Sequence, residues 1–143
     1  MPRVDFYLQK NGAPGARLRL CCRLVERILA EGLLILIHCP DRGLAGQLDE
    51  LLWTFRDDSF VPHGLVGATD AELTPVLISP DGIPEDRDQV LINLDLAPPP
   101  FAARFRRICE PLDPDPAVLQ AARQRWTHYR AQGWEISHHD IPR

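Results

Sequence analysis

The sequence predicts a single-domain α/β fold, a three-layer sandwich in which a mostly parallel central sheet lies between helices. Three observations support this prediction. The length of 143 residues is typical of one domain. A strand-like segment, an amphipathic helix and an apolar strand follow one another at the start of the chain, and this succession is typical of parallel sheets. The apolar run from Leu33 to His38 lacks polar alternation, which indicates a strand covered on both faces.

The predicted topology is Rossmann-like, but it lacks the glycine loop that binds nucleotides in many such folds. No G-x-G-x-x-G follows a strand, and no G-x-x-x-x-G-K followed by Ser or Thr occurs. The segment from Cys39 to Gly43 follows a strand and precedes a helix, where backbone amides can hold an anion, so anion binding there stays open. A small nucleotide-binding or hydrolytic α/β enzyme is therefore kept as the alternative function.

Local patterns in the first half of the chain predict two strands and two helices. Val4 to Leu8 forms the first strand, and the segment from Ala16 to Glu31 has apolar residues at the three- and four-residue steps of a helix. Gly32 ends that helix before the apolar strand. Leu44 to Trp53 is predicted as the second helix.

The second half of the chain alternates short apolar runs with proline-rich turns. The Asp113-Pro114-Asp115-Pro116 turn predicts the start of a helix, because Asp is favoured at helix N-termini. We expect strands at Val76 to Ser79, Gln89 to Leu96 and Arg107 to Leu112, a short helix from about Phe101, a helix from Ala117 to Gln132 and an edge strand at Trp134 to Ser137.

Composition and charge exclude several classes of function. No apolar run approaches the roughly 18 residues of a membrane span, and the N-terminal residues do not resemble a signal peptide, so we expect a cytoplasmic protein without membrane contact. The net charge of -4 does not favour direct binding to nucleic acid. The spaced aromatic residues and basic groove of a single-strand binder are missing as well.

Four cysteines occur without C-x-x-C spacing, which favours small buried hydrophobic residues in a reducing compartment over a disulfide or a metal site. The candidate catalytic groups form no recognisable constellation. Asp49 and Glu50 are adjacent on a helix and point about 100° apart, which does not suit a working carboxylate pair. The remaining candidates are His38, Cys39, His63 and the C-terminal run His138-His139-Asp140, which we expect to be a flexible terminus. The sequence thus predicts no catalytic site, no cofactor and no metal.

The segment from Leu48 to Leu65 groups large apolar side chains around a polar stretch. Trp53, Phe55 and Phe60 flank residues typical of a loop. Large apolar side chains on a turn seldom all find room in a core, and grouped exposed apolar residues usually mark a docking site. This segment therefore predicts a surface that binds another protein.

The last helix has two contrasting faces at 100° per residue. One arc holds Leu119, Arg123, Trp126, Thr127 and Arg130, and the opposite side holds Val118, Ala122, Arg125 and Tyr129. We expect the second face to pack on the sheet. The first then forms an outer stripe suited to a peptide with acidic residues, an apolar last residue and a free C-terminal carboxylate. The alternative is that the tryptophan lies in the core and the arginines are merely solvated.

Two separated motifs resemble the chi subunit of the bacterial DNA polymerase III clamp-loader assembly. The residues from Leu48 to Leu65 are similar to L-D-E-x-L-W, a polar loop and S-F-V-P-H-x-L, and Arg123 to Trp134 resembles R-x-R-Y-x-x-Y-R-x-x-G-F. The opening V-D-F-Y-L stands in place of T-F-Y-L in that family. The resemblance covers essentially the whole chain, and it implies a single chi-like α/β domain over residues 1–143.

The resemblance implies two binding surfaces. The tail of single-stranded DNA-binding protein is expected to contact the last helix and a neighbouring strand through Arg123, Trp126, Thr127, Arg130, Leu112 and Leu119. The psi subunit of the clamp loader, or a DNA-damage helicase in its place, is expected to contact Leu52, Trp53, Phe60, Val61 and Pro62. Leu119 and Thr127 stand where the family pattern has lysines, which predicts weaker and less salt-sensitive tail binding. The predicted function is a non-catalytic replisome adaptor that links the clamp loader to single-stranded DNA-binding protein.

Overall fold

A computed structural model describes residues 2–10, 12–13, 15–55, 63–65, 74–80 and 87–141. Helices and strands alternate along most of this part of the chain. They are, in order, β1 (Arg3–Gln9), α1 (Ala16–Ala30), β2 (Ile35–His38), α2 (Arg42–Thr54), β3 (His63–Leu65), β4 (Val76–Ser79), β5 (Val90–Asn93), a 3₁₀ turn (Ala102–Arg104), β6 (Arg107–Leu112), α3 (Pro116–Ala131) and β7 (Glu135–Ile141). Within these ranges, no helix has the length and apolar character needed to cross a bilayer.

The described strands form one sheet in the order β3-β4-β2-β5-β6-β1-β7. Every neighbouring pair in it is parallel. The helices α1 and α2 cover one face, and α3 covers the other. The predicted α/β class, with a parallel sheet between two helical layers, is therefore confirmed.

Side chains of the central strands alternate between the two layers because successive residues of a strand point to opposite faces. In β2, Ile35 and Ile37 pack in the layer of α1 and α2, whereas Leu36 packs in the layer of α3. All four residues of β2 are buried. The prediction that Leu33 to His38 contains a strand covered on both faces is confirmed.

The helix ends follow local chemistry. The Asp115 side chain accepts a hydrogen bond from the amide of Ala117 at 2.9 Å, and Pro116 occupies the first turn of α3, where its missing N–H costs nothing. Gly133 lies just beyond the end of α3 with a φ of 79°, and Gly32 has the same φ after α1. This left-handed backbone favours glycine, so the predicted stop at Gly32 is confirmed, and Gly133 ends α3 in the same way.

The structure also departs from the sequence predictions. The short strand β3 was not predicted, because its three residues include a glycine and lie at the end of the Leu48 to Leu65 segment without a periodic pattern. The predicted strand from Gln89 to Leu96 is shorter, and the predicted helix near Phe101 is a single 3₁₀ turn. The prediction of a flexible C-terminal run was wrong for His138 to Asp140, since these residues pair with β1 along β7.

A buried ionic network joins α3 to the sheet. Glu110 of β6 and Arg125 of α3 both have no exposed surface. The Arg125 Nε donates to the Glu110 carboxylate at 3.1 Å, the Tyr129 hydroxyl donates to it at 2.6 Å, and the Asn93 amide donates at 3.0 Å. Arg125 Nη1 also donates to the carbonyl of Leu96 at 2.8 Å. Burial raises the pKa of Glu110, while Arg125, Tyr129 and Asn93 oppose that rise.

We expect Arg125→Met to lower the free energy of unfolding by about 3–5 kcal/mol, because the substitution leaves the Glu110 carboxylate buried without its cation. Urea denaturation followed by circular dichroism measures this change. Arg130→Met on the same helix is the matched control, since Arg130 is exposed, and it should change stability by less than about 0.5 kcal/mol. Equal stability of the two variants would show that the network does not anchor α3.

Candidate functional site

A cavity of about 370 Å³ lies between α3 and one end of the sheet. Helix α3 forms one wall, and the neighbouring strands β6, β1 and β7 form the other. Its described lining residues are Phe6, Leu8, Leu112, Leu119, Ala122, Arg123, Trp126, Thr127 and His138. The cavity is therefore an apolar groove with a few polar groups, the general character of a binding pocket.

The helix wall follows from the orientation of α3. Val118, Ala122, Arg125 and Tyr129 are the buried residues of α3, as the predicted core face required. Trp126 is half-buried, and its ring centroid lies 5.1 Å from that of Phe6. Arg123 and Thr127 are exposed on the same side, and the Thr127 hydroxyl donates to the carbonyl of Arg123 at 3.2 Å. The outer face of α3 was predicted either to be a binding stripe or to have its tryptophan in the core. The structure combines the two, because Trp126 packs on Phe6 and also lines the cavity.

The strand wall follows from sheet register. Phe6 of β1 lies opposite His138 of β7, and Leu8 lies opposite Leu112 of β6. Residues paired in a parallel sheet share a face, so these side chains all lie on the α3 side. The cavity thus has an apolar floor. Among its described lining residues, Arg123 is the one with a permanent charge and His138 is the one histidine.

Five of the six residues expected at the tail site line this one cavity, namely Leu112, Leu119, Arg123, Trp126 and Thr127. Arg130 is exposed farther along α3 and is not among the described lining residues. Sequence reasoning missed the contributions of β1 and β7. Alternation along β1 was a usable signal for Phe6 and Leu8, but the register of β7 was needed for His138.

A second surface lies at the end of α2. Trp53 is 49% exposed, and its ring centroid lies 4.3 Å from that of His63. His63 is buried, with its Nε2 3.0 Å from the carbonyl oxygen of Asp49. His63 is therefore a buried, hydrogen-bonded residue of β3. Because the Trp53 ring packs against the hydrogen-bonded imidazole of His63, it gives this surface a well-positioned apolar contact site.

The other residues expected on the second surface differ in their placement. Leu52 is 2% exposed and packs in the core, so the expectation that it contacts a partner directly is wrong. Phe60, Val61 and Pro62 lie outside the described residues. Arg19 of α1 lies 5.4 Å from the ring centroid of Phe55 at the end of α2, which fixes a cation beside this surface.

The structure does not bring the candidate catalytic groups together, because His38, Cys39 and His63 are buried whereas Glu50 and the run His138-His139-Asp140 are exposed. His38 is buried, with its Nε2 3.2 Å from Asp95 and its ring edge-on to Phe101. All four cysteines are free and buried, as predicted. Burial raises the pKa of Cys39 to about 11, which makes it a poor nucleophile at neutral pH. In the part of the chain that the structure describes, no three His, Cys, Asp or Glu residues are arranged to hold a metal ion.

Comparison with known proteins agrees with this architecture. The profile of the family described as DNA polymerase III chi subunit, HolC, matches residues 1–137. The chain is 40% identical over 143 residues to the DNA polymerase III subunit chi of Pseudomonas aeruginosa, covering 100% of this chain and 99% of that protein. It is 33% identical over 142 residues to the subunit chi of Escherichia coli, covering 96% and 97% of the two chains, and 32% identical over 139 residues to that of Haemophilus influenzae, covering 96% of each. The chain therefore belongs to the DNA polymerase III chi subunit family.

Proposed function

We propose that this protein is a non-catalytic replisome adaptor that joins the DNA polymerase III clamp loader to single-stranded DNA-binding protein. The cavity beneath α3 takes the acidic C-terminal tail of single-stranded DNA-binding protein, and the surface around Trp53 takes a psi-type subunit. Membership of the chi family supports a role in DNA replication. The observation that carries the proposal is the convergence of Arg123, Trp126 and three leucines on one apolar cavity.

The chemistry of the cavity suits a peptide C-terminus. Its apolar floor is built from Phe6, Leu8 and Leu112, and it can bury one apolar terminal side chain. Arg123 is exposed on the helix wall, where its planar guanidinium can bind a carboxylate through two hydrogen bonds. Such a charge-assisted bond contributes about 1.5–3 kcal/mol when it is partly removed from water. Acidic residues before the terminus would extend toward solvent and toward Arg130 on the same helix.

The two surfaces lie on different layers and at different ends of the sheet. The cavity lies beneath α3 at the β6-β1-β7 end, whereas α2 packs on the other face and contacts β3 and β4. Two partners bound there would not compete for the same residues. This separation supports an adaptor that holds both partners at once.

The surface around Trp53 has the properties of an interface anchor. Exposed tryptophans in an apolar patch dominate many protein interfaces, and Trp53 is one of the two large hydrophobic residues that are exposed in the described part of the chain. Phe60, Val61 and Pro62, which follow it in sequence, are proposed to contact the psi-type subunit as well. A DNA-damage helicase that used the same face would exclude the psi-type subunit, because both would need Trp53.

We expect Arg123→Ala to weaken binding of a synthetic acidic tail by about 1.5–3 kcal/mol, because the carboxylate loses its charged partner. Isothermal titration calorimetry with the purified chain measures this. Arg106→Ala is the matched control, since Arg106 is exposed in the turn before β6 and does not line the cavity. Equal affinity of the wild type and Arg123→Ala for the tail would show that Arg123 is not part of the binding site.

The double variant Leu119→Lys with Thr127→Lys should bind the same tail more tightly than the wild type. Each added cation at the rim contributes about 0.2–1 kcal/mol when exposed, and its contribution is screened by salt. Affinity measured at several salt concentrations should therefore fall more steeply for the double variant. A salt dependence identical to that of the wild type would place these two positions away from the acidic residues of the tail.

Trp53→Ala should weaken binding of a psi-type subunit from the same organism by about 2 kcal/mol or more, as expected for an aromatic anchor. Tail binding should be unchanged, because Trp53 lies in the other layer of the fold. Thr54→Ala, also exposed at the end of α2, is the control for general damage to this helix end. If Trp53→Ala lost both psi binding and tail binding, the two surfaces would not be independent.

A further inference from the structure

We propose that His138 is a second recognition group for the acidic tail, and that its protonation strengthens tail binding as the pH falls. This inference rests on the proposed function of the cavity beneath α3. It adds a residue from β7, on the wall opposite Arg123, that the family motifs in this sequence do not include. It also gives the site a dependence on pH that Arg123 alone cannot supply, because an arginine stays charged at all physiological pH values.

The position of His138 is set by the sheet. Its partner in β1 is Phe6, and both residues line the cavity. The imidazole is 47% exposed, so a bound peptide can reach it. Trp126 packs on Phe6 at the cavity floor, and Arg123 lines the helix wall. A peptide in the cavity would therefore lie between one group that is always cationic and one whose charge depends on pH.

The hydrogen bond to Asp140 decides what His138 offers a ligand. The His138 Nε2 lies 2.7 Å from the Asp140 carboxylate, which can only accept, so Nε2 carries the proton in the neutral ring. Nδ1 is then an acceptor, and its lone pair would repel an approaching carboxylate. Protonation converts Nδ1 into a donor and adds a positive charge, so the same ring can then bind an acidic residue of the tail.

The charges around His138 favour this change. The hydrogen bond from His138, together with Lys10, lowers the pKa of Asp140, so this carboxylate is ionised near neutral pH. Lys10 Nζ lies 3.1 Å from the other Asp140 oxygen, and its positive charge reduces the repulsion between Asp140 and an incoming anion. From α3 the facing charged residue is Arg123, and from β1 the facing residues are the apolar Phe6 and Leu8. β7 lies at the edge of the sheet, and the structure describes no strand beyond it.

The low positive charge of the helix wall also supports a role for His138. Leu119 and Thr127 are neutral, so the described residues of the helix wall give the cavity one permanent cation. A tail with several carboxylates would gain from a second positive group on the strand wall. Histidine is the residue whose charge changes between about pH 5 and pH 8, and the carboxylates of the tail remain ionised over most of that range.

The test measures tail affinity at about pH 6 and about pH 8 by fluorescence anisotropy, using a short labelled peptide with acidic residues before an apolar C-terminal residue. For the wild type we expect binding about two- to fivefold tighter at the lower pH, as for a partly exposed charge pair. His138→Gln should lose this difference. His138→Lys should bind with the higher affinity at both pH values, because its cation does not titrate in this range.

His128→Gln is the matched control, because His128 is exposed on α3 and does not line the cavity. It should keep the pH dependence of the wild type. A pH dependence that survives in His138→Gln would overturn this inference and leave the proposed function intact. Absence of peptide binding by the wild type at every pH would overturn the proposed function itself.

Discussion

The structure depends on one buried interaction, the pairing of Glu110 in β6 with Arg125 in α3. A buried carboxylate is costly unless a cation and hydrogen-bond donors surround it, and here Arg125, Tyr129 and Asn93 all bind it. Two of these donors come from α3, so the rotation of that helix about its own axis is fixed. Because Arg125 must face inward, Arg123 must face the groove.

The fixed rotation of α3 places Arg123 and Trp126 on the side of the helix that lines the groove. The helix covers the sheet with small and aromatic residues, and the space left beneath its outer edge is the cavity that Trp126 and Phe6 share. An apolar floor with few charged residues at its rim favours a ligand that is itself amphipathic. A chain terminus with an apolar side chain and a carboxylate meets that requirement.

Most of the fold could be predicted from sequence because its determinants are local. Val76 to Ser79 and Arg107 to Leu112 have the predicted strand bounds, and the ends of α3 follow from Asp115 and Gly133. Capping, left-handed turns and side-chain periodicity act within a few residues of the chain. The outer face of α3 was predictable for the same reason, since a helical period assigns each residue to a side.

What the sequence by itself determined was therefore the set of elements, their layer class and the helical half of the groove. The tertiary structure alone decided which strands complete the groove, because the register of β7 on β1 brings together residues that are far apart in sequence and have no local pattern in common. It also decided that Leu52 is core and that Arg125 pairs with Glu110, since both depend on what the rest of the chain packs against a residue. His138 is the clearest case, because a residue that looked like part of a loose terminus became part of a wall once sheet pairing fixed its face.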